Sequence, residues 1–207
     1  MDMKNIAVLA SGRGSNFQAI IDGVDSGSIK GRISCLITDN PSAYSIKRAE
    51  KAGIPVKVID YGKYANRDDY NSAFRKAMEE TGADLFVLAG YMRLLDNDTA
   101  RQFSGKMINI HPALLPSFKG LHAQRQAIEY GVKISGCTVH FVDEEMDHGA
   151  IIMQTPVPVT DDDTEDSLSD RILEEEHKAL RRSVALFCDD LLKIENRKVK
   201  ILPGMED

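Results

Sequence analysis

The sequence has few of the residues that mark disulfide-stapled, fibrous or membrane-bound proteins. It contains no Trp, 3 Cys, 7 Pro and 15 Gly in 207 residues. Cys35, Cys137 and Cys188 are far apart and belong to no Cys-x-x-Cys or Cys/His cluster, so we expect neither a disulfide framework nor a zinc site, and a reducing cytosol fits. Pro and Gly are near their average frequencies, which excludes collagen-like and linker-like classes.

Positive charge is scarce as well. The 26 Lys+Arg face 32 Asp+Glu, a net charge of -6, so we expect no nucleic-acid partner, and an anionic ligand has to be held by a few local donors. The apolar run at residues 6–10 is too short for a signal peptide, and no run approaches the roughly 20 residues of a membrane span. The length and the 43% hydrophobic content suit one globular domain over residues 1–207. The cysteine pattern leads us to expect it in the cytoplasm.

The first half of the chain alternates short apolar runs with amphipathic segments, which is the pattern of stacked strand–helix units. It predicts a mostly parallel, twisted, Rossmann-like sheet with helices on both faces, and therefore an α/β fold. The predicted strands cover residues 6–10, 33–38, 56–59, 85–89 and 107–110. The predicted helices begin near residue 17 and cover residues 44–52 and 67–81.

The second half is expected to add a loop, a helix and two strands that pair antiparallel. Their predicted ranges are 113–121, 122–130, 134–142 and 150–159. Thr164, with Ser167 as the alternative, is predicted to cap a long helix that reaches about residue 195. A last short strand is predicted at residues 199–202.

A Gly-rich turn directly follows the first predicted strand: residues 11–16 are Ser-Gly-Arg-Gly-Ser-Asn. Backbone N–H groups in such a turn and the positive end of the next helix form an anion site, to which Ser15 and Asn16 add side-chain donors or caps. No Gly-Lys-Ser/Thr follows, and Phe17 takes the third glycine position of G-x-G-x-x-G, so a single phosphate is favoured over a dinucleotide. A tight turn that binds nothing is the alternative.

Asn109 and His111 lie at the end of the fifth predicted strand. Side chains alternate along a strand, so these two share one face while Ile108 and Ile110 pack on the other. The carboxyl end of such a strand is where open parallel sheets bind ligands. An amide donor beside an imidazole suits the stabilisation of an oxyanion and the movement of a proton in acyl-group chemistry. A hydrogen-bonded pair that caps the sheet edge is the alternative.

Two carboxylates are further candidates. Asp147 lies in the acidic turn 143–149, where it can orient or charge an imidazole; a solvated hairpin is the alternative. Glu176 fills a gap in the apolar stripe of the long helix, where a carboxylate is costly unless it is paired or bound to a ligand. Rotation of that face to solvent is the alternative. His122 and His140 are expected to be structural.

Together with the segments at residues 88–95, 109–116, 136–142 and 147–152, these motifs make the chain similar to the phosphoribosylglycinamide formyltransferase family, the folate-dependent enzymes of purine synthesis. The resemblance implies that 10-formyltetrahydrofolate, as a co-substrate and without a metal, donates its formyl group to the amine of 5-phosphoribosylglycinamide. The wider formyltransferase family shares the Asn, His and Asp triplet, so the triplet indicates the chemistry and not the acceptor. The phosphate loop and the chain length favour this acceptor over tRNA-directed formyltransferases and over deformylases, which carry extra domains.

The resemblance also implies a role for each candidate residue. Asn109, His111 and Asp147 are implied to be catalytic. The acceptor is implied to bind through Gly14, Ser15, Asn16 and Glu176, with its phosphate on the first three and its ribose on the last. The folate site is implied to comprise Arg67, Met92, Arg93, Leu94, Leu95, Asn109, Asp143 and Asp147. The single domain then divides into a phosphate-binding half, residues 1–105, and a folate-binding and catalytic half, residues 106–207.

Some features depart from the family pattern or leave alternatives. Arg13 occupies a variable loop position where it can add charge near a phosphate, and Lys119 and Ala150 stand where other members have Pro. The alternative functions are another formyltransferase or a deformylase, or a nucleotide-binding module. The last would leave the Asn109 and His111 pair unexplained. The oligomeric state is open, with a homodimer among the alternatives.

Overall fold

A computed structural model describes residues 3–203, which form a mixed sheet of nine strands flanked by helices. The strands are β1 (Lys4–Leu9), β2 (Gly31–Thr38), β3 (Val56–Val58), β4 (Leu85–Leu88), β5 (Met107–His111), β6 (Ile134–Phe141), β7 (Ile151–Pro158), β8 (Leu192–Glu195) and β9 (Lys198–Ile201). The helices are α1 (Ser15–Asp25), α2 (Tyr44–Lys51), α3 (Arg67–Glu79), α4 (Asn97–Gln102), α5 (Ala123–Tyr130) and α6 (Glu165–Cys188). Within this part of the chain, none of the helices combines the length and the apolar character needed to cross a bilayer.

The strand pairing confirms the predicted α/β fold. The order across the sheet is β3-β2-β1-β4-β5-β6-β7-β9-β8. The first five strands pair in parallel, whereas β5–β6 and β6–β7 are antiparallel. Helices cover both faces: Ile6 and Val8 of β1 pack in one core with α1 and α6, and Ala7 and Leu9 pack in a second core with α3. Burial on both faces explains why these strands are continuous apolar runs.

The predicted helix starts depended on capping residues, and two of them act as expected. The Asn66 side chain accepts a hydrogen bond from the backbone N–H of Asp69 at the start of α3. Thr164 and Ser167 form a reciprocal capping box at the start of α6. Such caps satisfy backbone donors that have no partner within the helix.

The predicted end of the long helix is wrong. α6 ends at Cys188 rather than near residue 195, and the chain then forms the hairpin of β8 and β9. Asp190 has φ 55° and Asn196 has φ 56°, left-handed conformations that end a helix and turn a hairpin. The sequence also did not predict the short helix α4, which Asp96 caps through the Thr99 N–H.

Candidate active site

Three candidate segments lie at one edge of the sheet. β1, β4 and β5 are parallel neighbours, so their carboxyl ends lie side by side. The phosphate loop (residues 11–16) follows β1, the segment 90–95 follows β4, and the Asn/His pair ends β5. A hydrogen bond joins the first two segments, because the Met92 N–H donates to Oγ of Ser11 at 3.0 Å. The topology therefore brings the predicted acceptor and folate residues to a common edge.

His111 is buried between two oxygen acceptors. Its Nδ1 lies 3.4 Å from Oδ2 of Asp147, and its Nε2 lies 2.8 Å from the carbonyl oxygen of Phe118. A carbonyl oxygen only accepts, so Nε2 carries a proton, and the ring donates at both nitrogens only as an imidazolium. The backbone N–H of Gly120 donates to the same Asp147 oxygen at 2.8 Å. The loop after β5 thus orients both members of the pair.

Asn109 contacts a residue that the sequence analysis treated as structural. Its Nδ2 lies 3.1 Å from Nε2 of His140, whose Nδ1 lies 2.8 Å from the carbonyl oxygen of Phe141. The carbonyl fixes the proton on Nδ1, so Nε2 accepts from the Asn109 amide. Burial lowers the pKa of His140, which keeps the ring neutral in that role. The signal that could have revealed His140 is strand register, since Asn109 and His140 are direct partners across β5 and β6.

The acidic turn is folded tightly enough to place Asp147 against the histidine. Asp147 itself has φ 49°, a left-handed conformation that Asp tolerates better than most residues. Two residues later, a Cβ added to Gly149 would collide with the carbonyl oxygen of Phe141. Only glycine therefore lets the chain return onto β6 at this point. Oδ1 of Asp147 also lies 3.8 Å from Nε2 of His140.

The phosphate loop has the geometry of an anion site. Gly14 precedes α1 with φ 69°, and a Cβ there would lie 2.7 Å from Cβ of Ser45, so glycine is required both for conformation and for space. As a glycine, Gly14 offers α1 no capping side chain, and the first turn of the helix holds no acidic residue. The positive end of the helix is therefore available to an anion. The carbonyl oxygen of Arg13 is held by Nε of Arg48 at 2.9 Å.

Glu176 faces the interior, so the alternative that it rotates to solvent is wrong. Nδ2 of Asn16 donates to its Oε2 at 2.8 Å, which joins the phosphate loop to α6. Burial raises the pKa of Glu176 to about 7, against the opposing effect of the Asn16 hydrogen bond. Oδ1 of Asn16 is buried and has no hydrogen-bond partner within residues 3–203. The two side chains are a polar pair with capacity left for a ligand.

The predicted folate residues after β4 divide into exposed and anchored side chains. Met92 and Leu94 are exposed apolar side chains. Between them, Nε of Arg93 donates to the buried Oδ2 of Asp39 at 2.6 Å, and its guanidinium lies 3.6 Å from the ring centre of Tyr61. Arg93 is therefore engaged by the protein itself. Its side chain anchors the segment, while its neighbours face outward.

An open groove of about 470 Å³ runs beside this segment. It is lined by Arg67, Asp68, Asn71, Leu94, Leu95, Asp96, Asn97, Asp98, Glu144 and Met146. Arg67 donates to the carbonyl oxygen of Leu94 at 3.2 Å. Glu144, another lining residue, accepts from Arg101 of α4 through both carboxylate oxygens at 2.8 Å. The groove thus joins Arg67 and Leu95 to the acidic turn that begins at Asp143.

Within residues 3–203, no three His, Cys, Asp or Glu side chains are grouped so that they could hold a metal ion. The cysteines are free and buried, and burial raises the pKa of Cys137 to about 12, which disfavours the nucleophilic thiolate. The polar groups gathered at the sheet edge are hydrogen-bond donors, two buried imidazoles and carboxylates. The roles that the sequence analysis gave to these side chains stay predictions.

The fold and the position of this polar cluster define the class of the protein: an α/β enzyme with its site at the carboxyl edge of a mostly parallel sheet. The sequence model of the family described as formyl transferase matches residues 4–184. The chain belongs to the formyl transferase family.

Relatives agree with this membership. The chain is 39% identical over 194 residues to a phosphoribosylglycinamide formyltransferase from Haemophilus influenzae, covering 94% of this chain and 92% of that protein. It is 46% identical over 186 residues to a trifunctional purine biosynthetic protein adenosine-3 from Drosophila melanogaster, covering 89% of this chain but only 14% of the longer protein. It is also similar to the crystal structure of glycinamide ribonucleotide transformylase 1 from Symbiobacterium toebii, with a TM-score of 0.94, 46% identity, and coverage of 97% and 95%.

Proposed function

We propose that the protein transfers the formyl group of 10-formyltetrahydrofolate to the amine of 5-phosphoribosylglycinamide. The products are phosphoribosyl-N-formylglycinamide and tetrahydrofolate, a step of de novo purine (IMP) biosynthesis. The observation that carries the proposal is the contact of His111 with Asp147 beside Asn109, in a member of the formyl transferase family. The bacterial relatives, which this chain matches over 90% or more of their length, support the same acceptor.

The chemistry follows from the groups in this cluster. The neutral acceptor amine attacks the formyl carbon, a C–N bond forms, and a tetrahedral intermediate carries the negative charge on the formyl oxygen. Asn109 donates a hydrogen bond to that oxygen. Nδ1 of His111 also donates to it, since its contact with Asp147 is long at 3.4 Å while Nε2 stays on the Phe118 carbonyl. Donors fixed in advance stabilise charge where it develops. The bond from carbon to N10 of the folate then breaks. The proton lost by the amine passes to Asp147, directly or through water, and onward to N10, so protons balance.

His140 contributes by orienting Asn109. Because Nε2 of His140 accepts one Asn109 amide hydrogen, the second hydrogen of that amide is directed toward the reaction. A buried neutral imidazole is well suited to this task because it does not compete as a donor. His140 is therefore a positioning residue in this mechanism, and Asn109 and His111 touch the reacting oxygen.

The acceptor is held at its far end. We assign its phosphate to the backbone N–H groups of Gly14, Ser15 and Asn16, where α1 presents its positive end. We assign the ribose hydroxyls to Glu176, whose Asn16 partner links it to the same loop. Holding the amine and the formyl carbon in attack geometry can lower the barrier by roughly 7–11 kcal/mol. Phosphate binding therefore contributes to rate as well as to affinity.

The co-substrate is assigned to the groove beside β4 and to the residues that adjoin it, with Arg67, Leu94 and Leu95 lining the groove itself. Its proposed site comprises Arg67, Met92, Arg93, Leu94, Leu95, Asn109, Asp143 and Asp147. Exposed Met92 and Leu94 offer an apolar surface for the aromatic parts of the folate, and the turn that begins at Asp143 covers the pterin. No metal takes part in these steps.

We also propose that residues 1–207 form one domain, with a phosphate-binding half at residues 1–105 and a folate-binding and catalytic half at residues 106–207. The folate site crosses this division, because Arg67 and residues 92–95 belong to the first half. The Asn16–Glu176 hydrogen bond crosses this division, so the ribose contact comes from the second half. The cytoplasm is the proposed location, which the free cysteines favour. We propose no nucleic-acid or membrane partner, and a homodimer is an open alternative.

A formyl-transfer assay tests the function. Purified protein, 10-formyltetrahydrofolate and phosphoribosylglycinamide are mixed, and the absorbance of released tetrahydrofolate is followed beside a reaction without acceptor and a His111→Ala variant. Acceptor-dependent release that is lost in the variant is expected. Release without acceptor would indicate a deformylase, and no release under any condition would reject the proposal.

A further inference from the structure

The C-terminal hairpin reaches the turn that carries Asp147. This hairpin, β8 and β9, lies beyond residue 184, where the match to the family ends. Arg197 stands in the turn between its strands. The NH2 group of Arg197 donates to the carbonyl oxygen of His148 at 2.7 Å, and its NH1 group lies 2.8 Å from Nε2 of the same histidine. One guanidinium therefore binds both the peptide and the ring of the residue next to Asp147.

The NH1 group of Arg197 lies against both ring nitrogens of His148, 2.8 Å from Nε2 and 3.2 Å from Nδ1. The carboxylate of Asp143 places the ring proton, because a carboxylate oxygen only accepts and Nδ1 must therefore carry the proton. Nδ1 lies 2.8 Å from Oδ2 of Asp143 and donates to it. Glu145 lies farther from the ring, at 3.9 Å. The result is a chain of contacts from Arg197 through His148 to Asp143, one of the proposed folate residues.

This contact acts on the backbone of the turn, whereas the Gly120 N–H acts on the Asp147 carboxylate. Near the start of the turn, Glu144 is held by Arg101 of α4. At its end, Gly149 is packed against β6. Between these points the backbone passes through the left-handed conformation of Asp147. The Arg197 guanidinium fixes the peptide carbonyl one residue after Asp147, and thereby limits rotation of the backbone that aims its carboxylate at His111.

We propose that Arg197 is a positioning residue for formyl transfer: it ties the C-terminal hairpin to the turn 143–149 and holds Asp147 and Asp143 in their working orientation. The inference rests on the proposed function, because it assumes that this turn serves the formyl donor and the proton transfer. Arg197 touches neither substrate in this account. Its effect passes through His148.

The test compares Arg197→Ala with a matched control in the same hairpin. Lys198→Ala removes one positive charge at the next position, and the Lys198 ammonium makes no ion pair or hydrogen bond with any residue from 3 to 203. Arg197→Lys is the conservative variant. Lysine keeps the positive charge and one donor nitrogen, but it lacks the planar guanidinium that reaches two acceptors at once. Initial rates are measured with each substrate varied in turn, and the melting temperature of every variant is recorded.

We expect Arg197→Ala to lower kcat/KM for 10-formyltetrahydrofolate about tenfold, the size of one lost charge-assisted hydrogen bond. The KM for phosphoribosylglycinamide should stay within about twofold, because the acceptor phosphate binds at the distant loop. Arg197→Lys should recover part of the loss, and Lys198→Ala should behave as the wild type. Melting temperatures should agree to within about 2 °C, since the side chain is exposed.

Two results would overturn the inference while leaving the function intact. One is an active wild type whose Arg197→Ala variant matches Lys198→Ala in every constant. The other is an equal loss for both substrates that follows a lowered melting temperature, which would indicate a purely structural role. A wild type that transfers no formyl group would instead reject the proposed function itself.

Discussion

The buried carboxyl of Glu176 makes stability depend on pH in a direction that can be stated in advance. In the folded chain its pKa is raised from 4.5 to about 7 by burial. Between these values the native state holds a proton that the unfolded chain has released, so the free energy of unfolding falls as pH rises. Above pH 7 this decrease is complete, and the free energy of unfolding is then about 3 kcal/mol lower than under acid conditions.

Glu176→Gln should remove this dependence. The amide is neutral at every pH and keeps an oxygen that accepts from Nδ2 of Asn16. Near pH 5 the wild type is also neutral at this position, so the two proteins should melt at similar temperatures. At pH 8.5 the variant should melt roughly 6 to 12 °C higher, because about 3 kcal/mol shifts the melting temperature of a chain of this size by that amount.

The assay is thermal unfolding of both proteins from pH 5 to pH 8.5 without ligands, repeated by urea titration. Glu174→Gln is the matched control, because Glu174 is an exposed residue of the same helix. Its curve should run parallel to that of the wild type. If the difference between Glu176→Gln and the wild type is the same at pH 5 and pH 8.5, Glu176 does not carry a raised pKa and the reasoning is refuted.

Three further predictions concern catalysis and binding. Asn109→Ala should lower turnover about 100- to 1000-fold, the usual loss for one oxyanion donor; near wild-type turnover would remove Asn109 from the mechanism. Gly14→Val should weaken acceptor binding at least about tenfold, because its Cβ would crowd Ser45 and block approach of the phosphate; an unchanged acceptor affinity, measured by titration, would contradict that site. Asp39→Ala should raise the KM for 10-formyltetrahydrofolate, because Arg93 loses the carboxylate that holds it. Asp39→Asn should raise this KM less. Kinetic constants that are the same for Asp39→Ala and Asp39→Asn would contradict the role of the Asp39 charge in anchoring Arg93.

Most of the fold could be predicted because buried segments are recognisable in the sequence as apolar runs. Strands covered on both faces must be apolar where they are buried, and β4 and residues 6–9 of β1 are. Helix starts were predictable at Asn66 and Thr164, where a side chain caps the helix, but the short helix α4 was missed although Asp96 caps it. The end of α6 was not predictable, because Asp190 takes a left-handed conformation without being glycine. Residues 192–195 alternate apolar and polar side chains as a strand does, but four residues directly after a long helical pattern are too short a run to mark the change.

The parts of the candidate site that could be predicted are those whose residues lie close together in the sequence. The Asn109 and His111 pair and the Gly-rich turn are local patterns. His140 and Arg197 were missed because their importance depends on contacts between distant segments: one on the register of β5 against β6, the other on where a hairpin turn comes to lie. Neither position has an unusual residue type or spacing. Only the folded arrangement distinguishes them from ordinary surface or core residues.

The hydrogen bond between Asn16 and Glu176 joins residues 160 positions apart, and this has a consequence for synthesis of the chain. A nascent polypeptide contains the phosphate loop early, but it lacks the partner of that loop until most of the chain has been made. Closing so long a segment costs entropy before the contact is gained, and contacts of this kind slow folding. The acceptor pocket should therefore be among the last features to mature, and a ribosome-bound chain that ends before α6 should not retain the acceptor.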